Sequence, residues 1–186
     1  MENGFEKEML EQILRATSLK SLIYLEVFIG RVVKLESLSI HWTSEQLGRE
    51  TEKDSLISQI ELREGENLVG SIHLVFPREM AFQVAKEMYE DLIPEISERH
   101  VLDMLEEMTN IISAPLTEAI TFCHHTTVLP SVARVMSPEE FKSSPVDGGL
   151  VLEVKMDGEM RGGIFFVMEK GTVKKIRRML KMKARG

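Results

Sequence analysis

Glu107 and Asn110 stand three residues apart in the stretch LDMLEEMTNIISAP, with Asp103 four residues before the pair and Ala114 four residues after Asn110. A carboxylate can pair with a cation on a partner molecule. One turn along, a carboxamide offers both a donor and an acceptor and can orient a water molecule. Being uncharged, it does so without repelling a phosphoryl group. The plain alternative is a solvated helix face that happens to include an asparagine. Inside a helix, however, Asn costs several tenths of a kcal/mol against Ala, and Ala114 adds little to solubility. Local stability does not explain the choice, whereas a flat partner surface approaching the helix would.

Helical spacing decides where these residues point. At about 100° per residue, Glu107, Asn110 and Ala114 all fall within about 40° of Asp103, in one narrow stripe. Opposite them lie Val101, Leu105, Met108, Ile112 and Leu116, which form the expected buried face. The helix that carries both faces is expected from about Ser97 to Phe122.

Other chemistry is weakly represented. His100, Asp103 and Glu107 share a helix face at a spacing open to mixed metal ligands, but a His beside acids on a helix is more often a surface ion pair. Cys123-His124-His125 lacks a closed ligand set and suits helix-end packing better. No Gly-rich phosphate loop, nucleophile elbow or redox Cys pair is present, and no metal is expected.

The 186 residues are enough for a proper apolar interior in one domain. The single cysteine excludes an internal disulfide, and no apolar run approaches the roughly 18 residues needed to span a membrane. MENGFEKEML lacks the basic-then-apolar order of a signal peptide. A cytoplasmic protein with no membrane partner is the simplest expectation. A net charge of −7 argues against nucleic acid as the main partner. That charge is unevenly placed. The last 16 residues hold seven basic residues and no acid, which leaves −14 for residues 1–170. Such a terminal helix suits its own dipole, or docks to an acidic partner or anionic surface.

The elements that must position the stripe follow from periodicity and punctuation. A first helix is expected over Glu6–Val33, with a possible break near Ser18 and an apolar face of Leu22, Leu25, Phe28, Ile29 and Val32. An extended segment runs to Trp42, and TSEQLGRETEKDS forms a loop. A hairpin turning at Glu64-Gly65 follows. Pro77 is expected at the first position of a second helix, which Pro94 closes. After the central helix come an extended TTVLPSVARVM, a capping box at Ser137-Pro138-Glu139-Glu140, the loop KSSPVDGG, a second hairpin turning at Asp157-Gly158, and the basic helix. IELREGENLVGSIHLVF and LEVKMDGEMRGGIFFVM match in layout. The chain therefore reads as an α+β domain of duplicated α-β-β-β-α halves, about 5–92 and 96–184, forming a mostly antiparallel six-stranded sheet with long helices packed on it. Gly70 and Gly162 mark bulges or close backbone approach in equivalent strands.

Glu107-x-x-Asn110, with Asp103 before it and Pro130 some twenty residues after, resembles the signature helix of the CheC/CheX/FliY family, phosphatases of the phosphorylated chemotaxis regulator CheY. The duplicated layout and the Gly-containing hairpins are similar too, so the resemblance covers nearly the whole chain. It implies a phosphatase acting on the phospho-aspartate of a CheY-like receiver domain, in chemotaxis or related two-component signalling. Glu107 would pair with the receiver's active-site Lys, Asn110 would hold a water in line for attack, and Asp103 and Ala114 would meet the partner's surface. The Mg²⁺ would belong to the receiver, so no cofactor of its own is implied. In the first-half helix Glu26 is followed three residues on by Ile29, so a single site is expected, as in CheX-like members. CheX-like relatives dimerise, which makes a homodimer the expectation here. Three departures stand out: Ala114 replaces a typical Gly, Pro115 should kink the helix just past the site, and the spacing from Asn110 to Pro130 is a few residues shorter than usual. A non-catalytic receiver-binding or flagellar-switch-like domain would use the same face.

Overall fold

A computed structural model describes residues 5–42, 54–90, 92–143, 148–158 and 161–183. Most of the loop TSEQLGRETEKDS and the middle of KSSPVDGG lie outside these. In chain order the elements are α1 (Phe5–Ile29), β1 (Lys34–His41), β2 (Leu56–Glu64), β3 (Asn67–Phe76), α2 (Arg78–Tyr89), α3 (Glu98–His124), β4 (Leu129–Pro130), β5 (Arg134–Met136), α4 (Pro138–Ser143), β6 (Gly148–Asp157), β7 (Gly162–Glu169) and α5 (Lys170–Lys183).

Every strand pairing is antiparallel, in the order β1-β6-β7-β3-β2-β4, with β5 also on β2. Exchanging the first three strands for the last group leaves that order unchanged, read from the other end. The first strand of each half therefore pairs with the second strand of the other half, and β3 meets β7 in the centre. The fold is α+β in class and the sheet mostly antiparallel, as expected, but among the described residues it has seven strands rather than six.

The extra strand arises because TTVLPSVARVM is split at Ser131. There the Glu61 main-chain N–H donates to the Ser131 hydroxyl at 3.0 Å, while Ser131 N–H donates to the Glu61 carbonyl at 2.8 Å. A side chain takes the place of a ladder carbonyl, so regular pairing stops and restarts at Arg134.

Alternation along the strands assigns the two faces. Leu56, Ile60 and Leu62 of β2, Ile72, Leu74 and Phe76 of β3, and Ile164, Phe166 and Met168 of β7 join one core with residues of α1, α2, α3 and α5. Ile57, Val75 and Phe165 point the other way and pack with Met136 and with Phe141 of α4. The α4 capping box forms: Ser137 N–H donates to the Glu140 carboxylate at 2.7 Å, and Glu140 N–H donates to the Ser137 hydroxyl at 3.1 Å.

Close approach explains both strand glycines. A Cβ on Gly70 would lie 2.6 Å from the Val167 carbonyl oxygen, and one on Gly162 would lie 2.7 Å from that of Val75. Gly70 also adjoins a register shift in the β2–β3 ladder.

Three local expectations are corrected. First, α1 is unbroken at Ser18, whose buried hydroxyl donates back to the Leu14 carbonyl at 2.7 Å within the helix. Second, the helix ends at Ile29 with Gly30 left-handed after it (φ 68°), so Val32 lies past the helix and is 81 % exposed instead of joining the apolar face. Third, Pro77 precedes α2 as its N-cap, and the helix begins one residue later, at Arg78.

Candidate functional site

The stripe on α3 forms as its spacing requires. From Val101 to Thr117, the exposed residues are Asp103, Glu107, Asn110 and Ala114. Val101, Met104, Leu105, Met108 and Ile112 are fully buried and Leu116 almost so. One face of α3 is therefore anchored in the core, and the other offers an acid, an acid, an amide and a methyl in line. Burying those six side chains contributes on the order of 10 kcal/mol before entropy is counted, so the outward stripe is held on a rigid base.

The helix N-terminus is built from His100, whose Nδ1 accepts a hydrogen bond from Ser97 N–H at 3.2 Å. That bond gives this histidine a structural part in capping the helix. Among the described residues no three His, Cys, Asp or Glu side chains are placed to hold a metal ion. Cys123 is buried, and His125 is the left-handed cap (φ 54°) whose N–H donates to the Thr121 carbonyl at 3.0 Å.

Pro115 lies within α3 and is buried, and helical structure continues on both sides of it to His124. A proline there removes the N–H that would have served the Ile111 carbonyl. Hydroxyl groups crowd this turn. Ser113 donates to the Asn110 carbonyl, Thr117 to that of Ser113, and Ser21 of α1 to that of Ile112, each at 2.8 Å. The backbone of Asn110 is thus fixed from within its own helix, and the next turn from the neighbouring one.

The two candidate catalytic side chains are available. Among the described residues neither the Glu107 carboxylate nor the Asn110 carboxamide has a hydrogen-bond or ion-pair partner. Asp103 has one, Arg99 four residues earlier, at 3.9 Å and largely exposed; such a pair is worth at most about 1 kcal/mol. On the α2 side stands Tyr89, whose ring meets His100 edge-on at 6.5 Å between centroids. Partial burial holds its phenol above the ordinary value, and the charges of Asp103 and Glu107 push it the same way. A hydroxyl-bearing ring that holds its proton therefore stands within electrostatic reach of Asp103 and Glu107. Spacing within α3 gave no hint of Tyr89, because it arrives from another helix.

The first-half counterpart is spent on structure. Glu26 accepts the Val33 N–H at 2.8 Å and clamps the turn after α1. No amide follows it, since Ile29 is buried.

Residues 57–145, which include all of α3, match the family model described as "Chemotaxis phosphatase CheX". No curated protein matches the chain significantly. Solved structures share the fold. FliY of Thermotoga maritima aligns at 16 % identity over 97 % of this chain and 98 % of its own, with a TM-score of 0.59. The CheX-CheY-BeF3-Mg²⁺ complex of Borrelia burgdorferi aligns at 18 % identity over 87 % and 97 %, with a TM-score of 0.58. The FliM middle domain of H. pylori aligns at 12 % identity over 95 % and 98 %, with a TM-score of 0.58. A CheX-family segment is thus built around α3, and the fold seen in FliY and CheX proteins extends over almost the whole chain.

Proposed function

We propose that this protein dephosphorylates the phospho-aspartate of a CheY-like receiver domain. One observation carries the reading: Glu107 and Asn110 stand exposed, unpaired and in line on the outward face of a helix whose other face is buried. The fold likeness to a CheX solved with CheY, BeF3 and Mg²⁺ supports it.

In this reading α3 enters the receiver's pocket along its stripe. Glu107 pairs with a lysine there and fixes the approach. The Asn110 carboxamide accepts a hydrogen bond from a water and aligns it opposite the aspartyl oxygen. Water adds to phosphorus, the bond from phosphorus to that oxygen breaks, and the receiver's carboxylate and inorganic phosphate are released. The divalent ion that neutralises the phosphoryl oxygens would be the receiver's own, so this chain supplies positioning and electrostatics. Ala114 and Asp103 would border the contact. A homodimer belongs to the same proposal, and its interface is left to measurement.

A second reading is favoured by the likeness to FliM middle domains: a non-catalytic receiver-binding or flagellar-switch-like domain that uses the same face. Mixing the protein with phosphorylated receivers and timing phosphate release separates the two. Faster loss that disappears in Asn110→Ala supports the phosphatase. Binding to the activated receiver with no faster loss selects the second reading.

A further inference from the structure

The outward face of α1 carries Leu19, Ile23 and Val27 at successive four-residue steps, 46 %, 55 % and 79 % exposed. That spacing makes one continuous apolar ridge. Single exposed apolar residues are ordinary, but three in line beside a candidate site are not explained by the fold, because α1 already buries Leu10, Leu14, Leu22, Leu25 and Ile29 on its inner side. We propose that this ridge is the apolar half of the receiver footprint, seating an apolar surface that borders the receiver's acyl-phosphate pocket. The inference rests on the functional reading above and names the second contact surface it requires.

The ridge's position follows from contacts between the helices. The α1 end lies near the end of α2, where Arg31 pairs with Glu87 at 2.9 Å, and Tyr89 at that same end of α2 meets His100 at the start of α3. So α1 and α3 run antiparallel. The bond from Ser21 to the Ile112 carbonyl fixes their register. Counting out from it at 1.5 Å per residue brings Leu19 level with Ala114, Ile23 with Asn110 and Val27 with Glu106. Tyr24, 39 % exposed, stands on the side of α1 that faces α3, with the Lys20 ammonium 5.4 Å from its ring centroid. Lys20 in turn pairs with Glu118 of α3 at 3.3 Å, closing the gap between the helices at that level.

Size makes a partner on α3 a partner on α1 as well. A specific interface buries about 800 Å² on each side, more than four short side chains on one helix about 10 Å wide can supply. Packed helices stand 8–10 Å apart, so a receiver about 30 Å across that is centred on Asn110 must lie over a neighbour. Interface centres are depleted in charge and rich in apolar groups, which α3's acidic stripe cannot provide and the ridge does. A second copy seated on the ridge would overhang Asn110 and keep the receiver out.

The test uses the full chain carrying Ile23→Glu with Val27→Glu, and separately Ile23→Gln with Val27→Gln, which leaves the charge unchanged. Unfolding curves establish that each is folded. Affinity is measured for the cognate receiver activated with beryllofluoride, and dephosphorylation is followed as a function of receiver concentration. The expected result is at least a tenfold weaker Kd for the Glu pair and a smaller loss for the Gln pair. KM should rise in parallel, and the saturating rate should stay within about twofold of wild type. Wild-type binding retained by both folded variants overturns the proposal. So does loss of self-association with receiver binding intact, which would give the ridge to a second copy. If the wild type binds no activated receiver, the functional reading falls and takes the ridge with it, an outcome distinct from failure of the ridge alone.

Discussion

The Ser21 hydroxyl on α1 donates to the Ile112 main-chain oxygen on α3 at 2.8 Å, two residues past Asn110. Both residues are buried, and Ser18, Ser21, Thr109 and Ser113 are all buried polar groups, each bonding a backbone carbonyl. Small hydroxyl residues let the two long helices approach and peg one against the other. Ser21→Ala removes the peg without adding bulk and should cost about 1 kcal/mol, read from the urea midpoint. Ser21→Leu should cost more, roughly 1–3 kcal/mol through overpacking.

Asn110→Ala should lower phosphate release from the cognate receiver by about 100-fold or more, the scale of losing a positioned reactant, with the Kd for the activated receiver nearly unchanged. Glu107→Ala should weaken both binding and turnover, because it would leave a lysine buried without its partner. Stopped-flow release and equilibrium titration read the two effects separately. Normal turnover by Asn110→Ala would end the assignment.

Tyr89 reports on the stripe without any partner. Its phenol is raised by burial first and by Asp103 and Glu107 next. The folded protein therefore holds this proton more tightly than the unfolded chain does. The stability that follows is fully present below the ordinary phenol pKa of about 10 and is lost as pH climbs through the folded value. In a Tyr24→Phe background, where Tyr89 is the sole tyrosine, absorbance near 295 nm should titrate above the free phenol. Glu107→Gln should move that midpoint down.

Gly162→Ala drives a Cβ into the Phe76 ring and to 2.7 Å from the Val75 carbonyl oxygen, neither of which is the free end of a flexible chain. A loss of about 1–3 kcal/mol or more is expected in chemical denaturation. Gly171→Ala is the contrasting case. It lies in α5 with nothing within 4 Å of the added methyl, so it should stabilise by roughly 0.5–1 kcal/mol.

Much of this was legible from local pattern. Gly65 and Gly158 adopt positive φ at the two hairpin turns where Gly was the marker, and the α3 stripe emerged because one helix supplies both its faces. What escaped depends on other elements. Ser18 looked like a break, yet its hydroxyl is absorbed by the helix. Val32 fitted the apolar period but falls beyond Gly30. The split at Ser131 needed the Glu61 N–H from another strand. Tyr89 and the Leu19–Ile23–Val27 ridge acquire meaning only when α2 and α1 are laid against α3, which no periodicity within one segment reveals.

The strand order has one more effect. Among the described residues β1 is held by β6 alone, and β4 and β5 by β2 alone, so each end of the sheet hangs on the opposite half of the chain. Neither half contains the neighbour that its own outermost strand needs. Cut between α2 and α3, the molecule has no fragment able to close its hydrogen bonds unaided. The two pieces should regain structure only on being mixed.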